Sequence, residues 1–513
     1  MEELTFFNYN KTPLKIDKPI RLIELFSGIG AQAKALERLG ADFEHHRTSE
    51  WEVSAVASYK AIHKYEDDTD YSKPFSNEEL LDILCNLGIS TDGKKPMTRA
   101  QISRKNEQWK RTVYNNFKAT NNIGSIMNIS GADLGIVDTD KYCYIMTYSF
   151  PCQDLSLAGK QKGMAKGSNT RSGLLWEVER LLNECDELPQ VLLMENVTQV
   201  HGTKNKEHFE EWIEFLESLG YSNYWEDLNS KNFGIPQNRD RTFVVSVLGD
   251  YTYEFPQGFP LQLRLKHLLE DCVDEKYYIS DKGIEYIVKR KGKYTQLCDR
   301  STKIAKSAIT AVGNANWTGN FIKESAINGD ISKTIRAGGR GSVDRHSWDL
   351  VAEPAAYDEQ NGYIRKDGIV GTLTTDGSSP KHNNRVLEPT TKENHGTITA
   401  IAENRVIVRE ATSEGYAEAI EGDSINLEHP NSKTRRGRVG HGVAQTLTTT
   451  PQQAVFEPVR IRKLTPRECW RLMGFYDEDF NKAAEVNSDS QLYKQAGNSI
   501  VVDVLAHIFT QML

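Results

Sequence analysis

Short apolar runs separated by helical patterns constrain this chain more than any other feature. Strand-like runs lie at 21–26 (RLIELF), 142–148 (YCYIMTY), 190–194 (QVLLM) and 242–248 (TFVVSVL), with a poorer one at 43–49. Between them lie helical patterns at 33–39, 53–63, 173–184 and 207–219. Near-continuous apolar strands alternating with amphipathic helices specify an α/β fold, because a parallel strand needs a crossover and is buried on both faces. The expectation is a doubly wound, mostly parallel sheet with a β-rich insertion.

Residues 66–122 break the alternation. They are polar and rich in Asn and Lys, with one amphipathic piece at 78–89, and read as a helical insertion. From about 261 the texture changes again. Residues 300–455 are rich in Thr, Gly, Asn and Ser, and a Thr-Leu/Ile element recurs in AIT (308–310), KTIRA (333–337), GTLTT (371–375), GTITA (396–400) and QTLTT (445–449). The unequal gaps exclude a solenoid. Helical patterns return at 465–475 and 498–513. The expected domains are 1–260, catalytic, with the 66–122 insertion; 261–455, β-rich; and 456–513, returning to the catalytic domain. At 513 residues the length prior of about two to four domains agrees.

Composition narrows the classes. Seven scattered cysteines without a Cys-x-x-Cys argue against a disulfide scaffold or a structural zinc site, so no metal is expected. No run approaches the ~20 apolar residues of a membrane span, and acids at positions 2 and 3 argue against a signal peptide, so a cytoplasmic protein without membrane contact is expected. The net charge of −8 means that any nucleic-acid surface must be local.

The candidate chemistry sits at strand ends. Gly28 and Gly30 follow a strand and open a helix, where missing side chains and free N–H groups admit a nucleotide or nucleoside. Glu50, at the end of the second strand, can take ribose hydroxyls, and Trp51 can stack on a purine. These features do not separate NAD from S-adenosylmethionine. Cys152 follows a strand and Pro151, and the run from 155 to 176 contains Lys160, Lys162, Lys166 and Arg171 but no acid, which favours a thiolate and can grip phosphates. Glu195 ends an apolar strand, where desolvation can raise a carboxyl pKa and make it an acid; pairing with an Arg is the structural alternative. In an extended chain Gln237, Arg239 and Arg241 share a face, and Arg forks suit carbonyl or phosphate oxygens.

Eight segments, in order, resemble the DNA cytosine-5 methyltransferase family of bacterial and phage restriction-modification systems: FSGIGA (26–31), Glu50-Trp51, SFPCQDLSLAGKQKG (149–163), GLLWEVER (173–180), MENV (194–197), QNRDR (237–241), RKLTPRECWRLMGF (462–475) and QAGNSIVVDVL (495–505). GIGAQAKALE and TRSGLLWE are similar to the mycoplasma-type CpG enzymes of that family; their specificity is not carried over, because the insert here is far longer.

The resemblance implies a Rossmann-like methyltransferase. It would use S-adenosyl-L-methionine, with S-adenosyl-L-homocysteine as product, and hold the cofactor through Phe26, Gly28, Gly30, Glu50, Trp51, Ser125, Pro151 and Asn498. Ser125 stands where the family carries an acid toward the adenine amine. By the same resemblance Cys152 adds to C6 of a flipped-out cytosine, Glu195 acts on N3 and the exocyclic amine, and Arg241 with Arg239 binds O2 and a nearby phosphate. Gln153, Ser156, Lys160, Lys162, Arg171, Gln237 and Arg436 are expected on duplex DNA. The 261–455 region becomes a target-recognition region, with phosphate contacts from Lys433, Arg435, Arg436 and Arg438 and base readout by Arg340, Arg345 or Asn383-Asn384. Its Thr-Leu repeats fit one large recognition domain or several elements in series. A monomer is expected, with a cognate restriction endonuclease acting on the same DNA sequence without a stable complex. The alternatives are an RNA cytosine-5 methyltransferase, a non-enzymatic DNA-binding regulator and a NAD oxidoreductase; the last leaves Cys152, Glu195 and Arg241 idle.

Overall fold

The computed structural model describes residues 12–151, 155, 163–167, 170–278, 405–413, 415–428, 432, 434, 436–449, 453–457 and 460–513, with isolated strands between 335 and 387. The chain divides into two compact units. One comprises Met1–Asp271, Val443–Pro451 and Thr465–Leu513; the other comprises Cys272–Gly442 and Gln452–Leu464. Among the described residues no helix is long and apolar enough to cross a membrane.

The first unit is built on β1 (Ile20–Leu25), β2 (Phe43–Ser49), β3 (Cys143–Tyr148), β4 (Val191–Asn196), β5 (Tyr221–Asn229) and β6 (Asp240–Leu248). They form one sheet in the order β2-β1-β3-β4-β6-β5. β1 pairs parallel with β2 and β3, and β3 with β4, while β6 is antiparallel to β4 and to β5. The fold is therefore α/β with a mainly parallel sheet, as the alternation predicts. β3 and β4 are buried at every position, as central strands require. The polar strands β2 and β5 take the edges.

Helices α1 (Ala31–Arg38), α2 (Val53–His63), α3 (Asn77–Asn86), α4 (Arg99–Ser103), α5 (Glu107–Ala119), α6 (Leu175–Glu184), α7 (Lys206–Ser218), α8 (Pro466–Arg471), α9 (Asp477–Val486), α10 (Asp489–Asn498) and α11 (Val502–Thr510) complete the unit. Leu175, Val178 and Leu182 of α6 and Phe209, Trp212 and Leu216 of α7 share a core with Ile23, Met146, Leu192 and Val244 of the sheet. The C-terminal helices meet α1 and α2: Lys34 Nζ lies 2.9 Å from Asp479 Oδ1, and Arg38 Nη1 3.2 Å from Asp503 Oδ2.

The 66–122 region is helical where α3, α4 and α5 run. Capping boxes at Ser76/Glu79 and Thr98/Gln101 start α3 and α4. Leu80, Leu84, Ile102, Val113 and Phe117 bury a local core with Val56 of α2.

The second unit is β-rich where described. Ser424–Asn426 lies antiparallel between Val439–Gly440 and Gln453–Glu457, which pairs with Arg460–Lys463. Val408, Ala419, Ile425, Ala454 and Phe456 form its core. Residues 443–451, which the sequence places inside the β-rich region, pack with the first unit. There Ala444–Gln445 pairs parallel with Gln237–Asn238.

Candidate active site at the carboxyl edge of the sheet

Chain order reverses at β1, whose neighbours β2 and β3 lead away in opposite directions. The crevice beyond the carboxyl ends of such strands is where open α/β sheets place ligands. The turn after β1 is left-handed at Phe26 (φ 58°), Gly28 (φ 54°) and Gly30 (φ 79°), a conformation that glycine adopts freely and that strains Phe26 alone. A Cβ on Gly30 would meet His63 Nε2 at 2.3 Å, so Gly30 is required by what lies behind it. A Cβ on Gly28 would meet nothing within 4 Å, so Gly28 faces open space. Glu50 closes this cradle: its Oε2 accepts from Gly28 N (3.1 Å) and its Oε1 from Glu52 N (2.8 Å). Burial, with the nearby charge of Glu52, pushes the Glu50 carboxyl up to about 7. Trp51 is partly buried beside it. Together they offer what can meet a nucleoside: open backbone at Gly28, a carboxyl able to accept from hydroxyls and an indole face able to stack.

Ser125 is buried, and its hydroxyl accepts from Met127 N (3.4 Å) at the start of a 3-10 turn. Asn122, which sequence reasoning missed, ties this segment to the cradle: its Oδ1 accepts from Gly124 N (2.8 Å) and Glu50 N (3.4 Å). Asn498 is exposed at the C-terminal end of α10. That helix docks on α2 through Ser58 Oγ–Gln495 Oε1 (2.9 Å), and Lys494 Nζ reaches Glu52 Oε1 (2.6 Å).

The next two strand ends carry the second half of the site. Glu195, 5% exposed, ends β4. Ser149 Oγ donates to its Oε2 (2.5 Å), and Arg241 Nε lies 3.0 Å from its Oε1. β6 runs antiparallel to β4, which brings Arg241, at its start, to the carboxyl end of β4. The Arg partner that sequence reasoning allowed for Glu195 is thus Arg241 itself. Asn196 Nδ2 donates to Phe150 O (2.9 Å) and Ser172 Oγ to Pro151 O (2.7 Å), fixing the backbone that leads into Cys152. Asn196 and Ser149 lie inside the quoted MENV and SFPCQ segments; Ser172 carried no signal of its own, because its bond to Pro151 O spans 21 residues of chain. Cys152, Gln153, Ser156, Lys160 and Lys162 lie outside the described residues.

Three expectations are corrected. Gln237, expected on DNA, is fully buried: its Nε2 donates to Leu472 O (2.7 Å), and its Oε1 accepts from Leu447 N (3.1 Å). Arg239, expected beside Arg241, is 3% exposed and turned inward, donating to Ser499 O (2.7 Å) and Leu447 O (3.3 Å). The segment is not evenly extended: Arg239 N donates to Gln237 O (3.1 Å), a tight turn at Asn238 that interrupts the i, i+2 alternation before β6 begins. Arg438, expected on phosphate, is 1% exposed, with its Nη2 on Asn426 O (2.8 Å).

Arg171 is partly buried, ahead of the short 3-10 turn before α6. Lys166 pairs with Glu179 (2.6 Å). Arg436 is exposed and donates to Ala411 O (3.1 Å). Arg340, Arg345, Asn383, Lys433, Arg435 and the Asn384 side chain lie outside the described residues, as do the Thr-Leu elements at 308–310, 371–375 and 396–400.

The last such element, at 445–449, is not a free hairpin edge. Thr446 Oγ1 donates to Asn238 O (3.0 Å), and Leu447 sits between Gln237 and Arg239. Gly497 makes room for it: a Cβ there would meet the Thr448 carbonyl at 2.3 Å.

Known proteins resemble this chain. The model of the family described as C-5 cytosine-specific DNA methylase matches residues 79–513. The chain is 38% identical over 321 residues to the orphan methyltransferase M.SssI of Spiroplasma monobiae, covering 61% of this chain and 82% of that protein. It is 29% identical over 495 residues to the type II methyltransferase M2.ScrFI of Lactococcus lactis subsp. cremoris, covering 96% and 99%. Among solved structures, the S. pombe Dnmt2 methyltransferase aligns over 96% of this chain and 98% of its own, with 16% identity and a TM-score of 0.42.

Proposed function

Because this chain belongs to the C-5 cytosine-specific DNA methylase family, we propose that it methylates C5 of a flipped-out cytosine in a specific duplex sequence through a covalent Cys152–C6 adduct. The observation that carries the reading is the Glu195 carboxyl, held between Ser149 Oγ and Arg241 Nε beside the clamped Phe150-Pro151 backbone. That places a carboxyl and a guanidinium next to the segment that bears the thiol.

C5 of cytosine is a poor nucleophile, and addition of a thiolate to C6 turns C5 into an enamine-like carbon. The Cys152 sulfur forms the S–C6 bond, and the ring electrons move toward N3, where Glu195 supplies or holds a proton. Arg241 offers N–H donors to O2. S-adenosylmethionine, when bound, supplies a methyl group on a sulfonium centre to C5. The C5 proton then leaves to a base, the S–C6 bond breaks and C5=C6 is restored. A stacked base cannot meet a side chain above its plane, so the cytosine must leave the helix. The cradle of Gly28, Glu50 and Trp51 is assigned to the nucleoside part of the cofactor, and Phe26, Gly30, Ser125, Pro151 and Asn498 to its remaining contacts. Arg171 and Arg436, with Gln153, Ser156, Lys160 and Lys162, remain assigned to DNA.

The biological setting we infer is protection of DNA within a restriction-modification system or by a phage, by a monomer that forms no stable complex with an endonuclease. The test is methyl transfer to a mixed-sequence duplex, read base by base after bisulfite conversion, with wild type and Cys152→Ala side by side. Protected cytosines with wild type alone support enzyme, atom and nucleophile together. Protection that persists in Cys152→Ala excludes the covalent route.

A further inference from the structure

We propose that Glu37, His45 and His63 form a three-ligand site for a divalent transition metal of the zinc class, set behind the glycine turn. These residues come from the end of α1, the start of β2 and the end of α2, so no local spacing announces them. Their candidate ligand atoms all lie within 4.8 Å of one another. Glu37 Oε1 is 2.7 Å from His63 Nδ1 and 3.9 Å from His45 Nε2. Ligands about 2.0–2.1 Å from a tetrahedral zinc ion stand about 3.3 Å apart, so small side-chain shifts suffice.

A second, independent observation concerns the far side of each ring. His63 Nε2 lies 3.1 Å from Ile29 O, a group that only accepts, so this nitrogen carries the hydrogen. His45 Nδ1 lies 2.9 Å from the Tyr59 hydroxyl, which donates its own proton to Glu24 Oε2 at 2.5 Å, so His45 Nδ1 also donates. Both rings are thereby oriented with the opposite nitrogen toward Glu37. Metal-binding histidines are held in this way by outer-shell oxygens. The other carboxylate oxygen of Glu37 is held by Lys34 Nζ at 2.7 Å, which turns Oε1 toward the histidines. The metal takes the place of the proton between His63 and Glu37. The His63 side chain is fully buried and that of Glu37 is 31% exposed, so an ion enters from the Glu37 side. Two imidazoles and one carboxylate suit zinc and its neighbours rather than magnesium or calcium. The ion would tie together the three elements that bracket the 26–30 turn.

The test titrates the full chain with Co2+ and then displaces it with Zn2+. The expected result is one equivalent of Co2+ with the visible absorption of a four- or five-coordinate N/O site. Glu37→Gln and His45→Gln should abolish that absorption, and Tyr59→Phe should weaken binding about tenfold. Glu37→Gln keeps the shape of an exposed side chain, so it decides the matter if the buried variants do not fold. Three results overturn the site: no visible absorption with wild type, equal binding by Glu37→Gln, or the thiolate charge-transfer bands of an ion held by any of the 7 cysteines.

Discussion

The carbonyl carbon of Thr448 lies 2.3 Å from where a side chain on Gly497 would begin. The last Thr-Leu element and the end of α10 are therefore in backbone contact. Gly497→Ala must push them apart, and overpacking of this kind costs about 1–3 kcal/mol. The expected outcome is a lower urea midpoint with an unchanged slope. A neutral result would mean that 445–449 sits elsewhere.

Arg239 and Arg241, two residues apart, should fail in different ways. Arg239→Met leaves the carbonyls of Ser499 and Leu447 without their charged donor and should lower stability by about 1.5–3 kcal/mol. Once folded, that variant should transfer methyl groups at a near-normal single-turnover rate. Arg241→Met removes the group facing Glu195 and should cut that rate about 100-fold or more. Equal rate losses would return Arg239 to the reacting base.

Asn196 holds the strand end that precedes the thiol. Asn196→Ala leaves Phe150 O, otherwise bonded at 2.9 Å, without this donor, at about 1–3 kcal/mol. Misplacing Cys152 by about 1 Å should cost about 100-fold in the methylation rate. Melting and single-turnover measurements on one preparation check both.

Glu50 gives the proposed cofactor site a pH dependence whose sign follows from its raised carboxyl. Its folded pKa, about 7, lies above the ordinary 4.5, so the folded chain binds the extra proton between those values. Glu50 therefore lowers folding stability as pH rises from 4.5 toward 7. A ribose hydroxyl donates best to the ionised carboxylate, so S-adenosylhomocysteine should bind more tightly as pH rises to about 7 and level off above it. Glu50→Gln should bind more weakly and flatten the profile in calorimetric titrations. A flat wild-type profile would remove Glu50 from the ribose.

The apolar runs determined by themselves that β1, β3, β4 and β6 would be strands of a mainly parallel sheet, because a buried strand leaves its period in the chain. The Gly turn and Glu195 were legible because they close apolar runs, Glu50 and Trp51 because they follow the poorer second strand, and Arg241 because it opens the 242–248 run. The edge strand β5, YSNYWEDLN, was not, since an edge with a wet face carries no apolar run. Nor were α9 and α10, whose polar sequences become helical against α2 and α8. Only the tertiary structure decided that β6 runs antiparallel, which brings Arg241 to Glu195. The fold alone also turned Gln237 and Arg239 inward, took the 445–449 element from the β-rich region into the first unit, and gathered Glu37, His45 and His63 behind Gly30. These outcomes depend on which backbone carbonyls and charges lie across the fold, and separation along the chain carries no record of that.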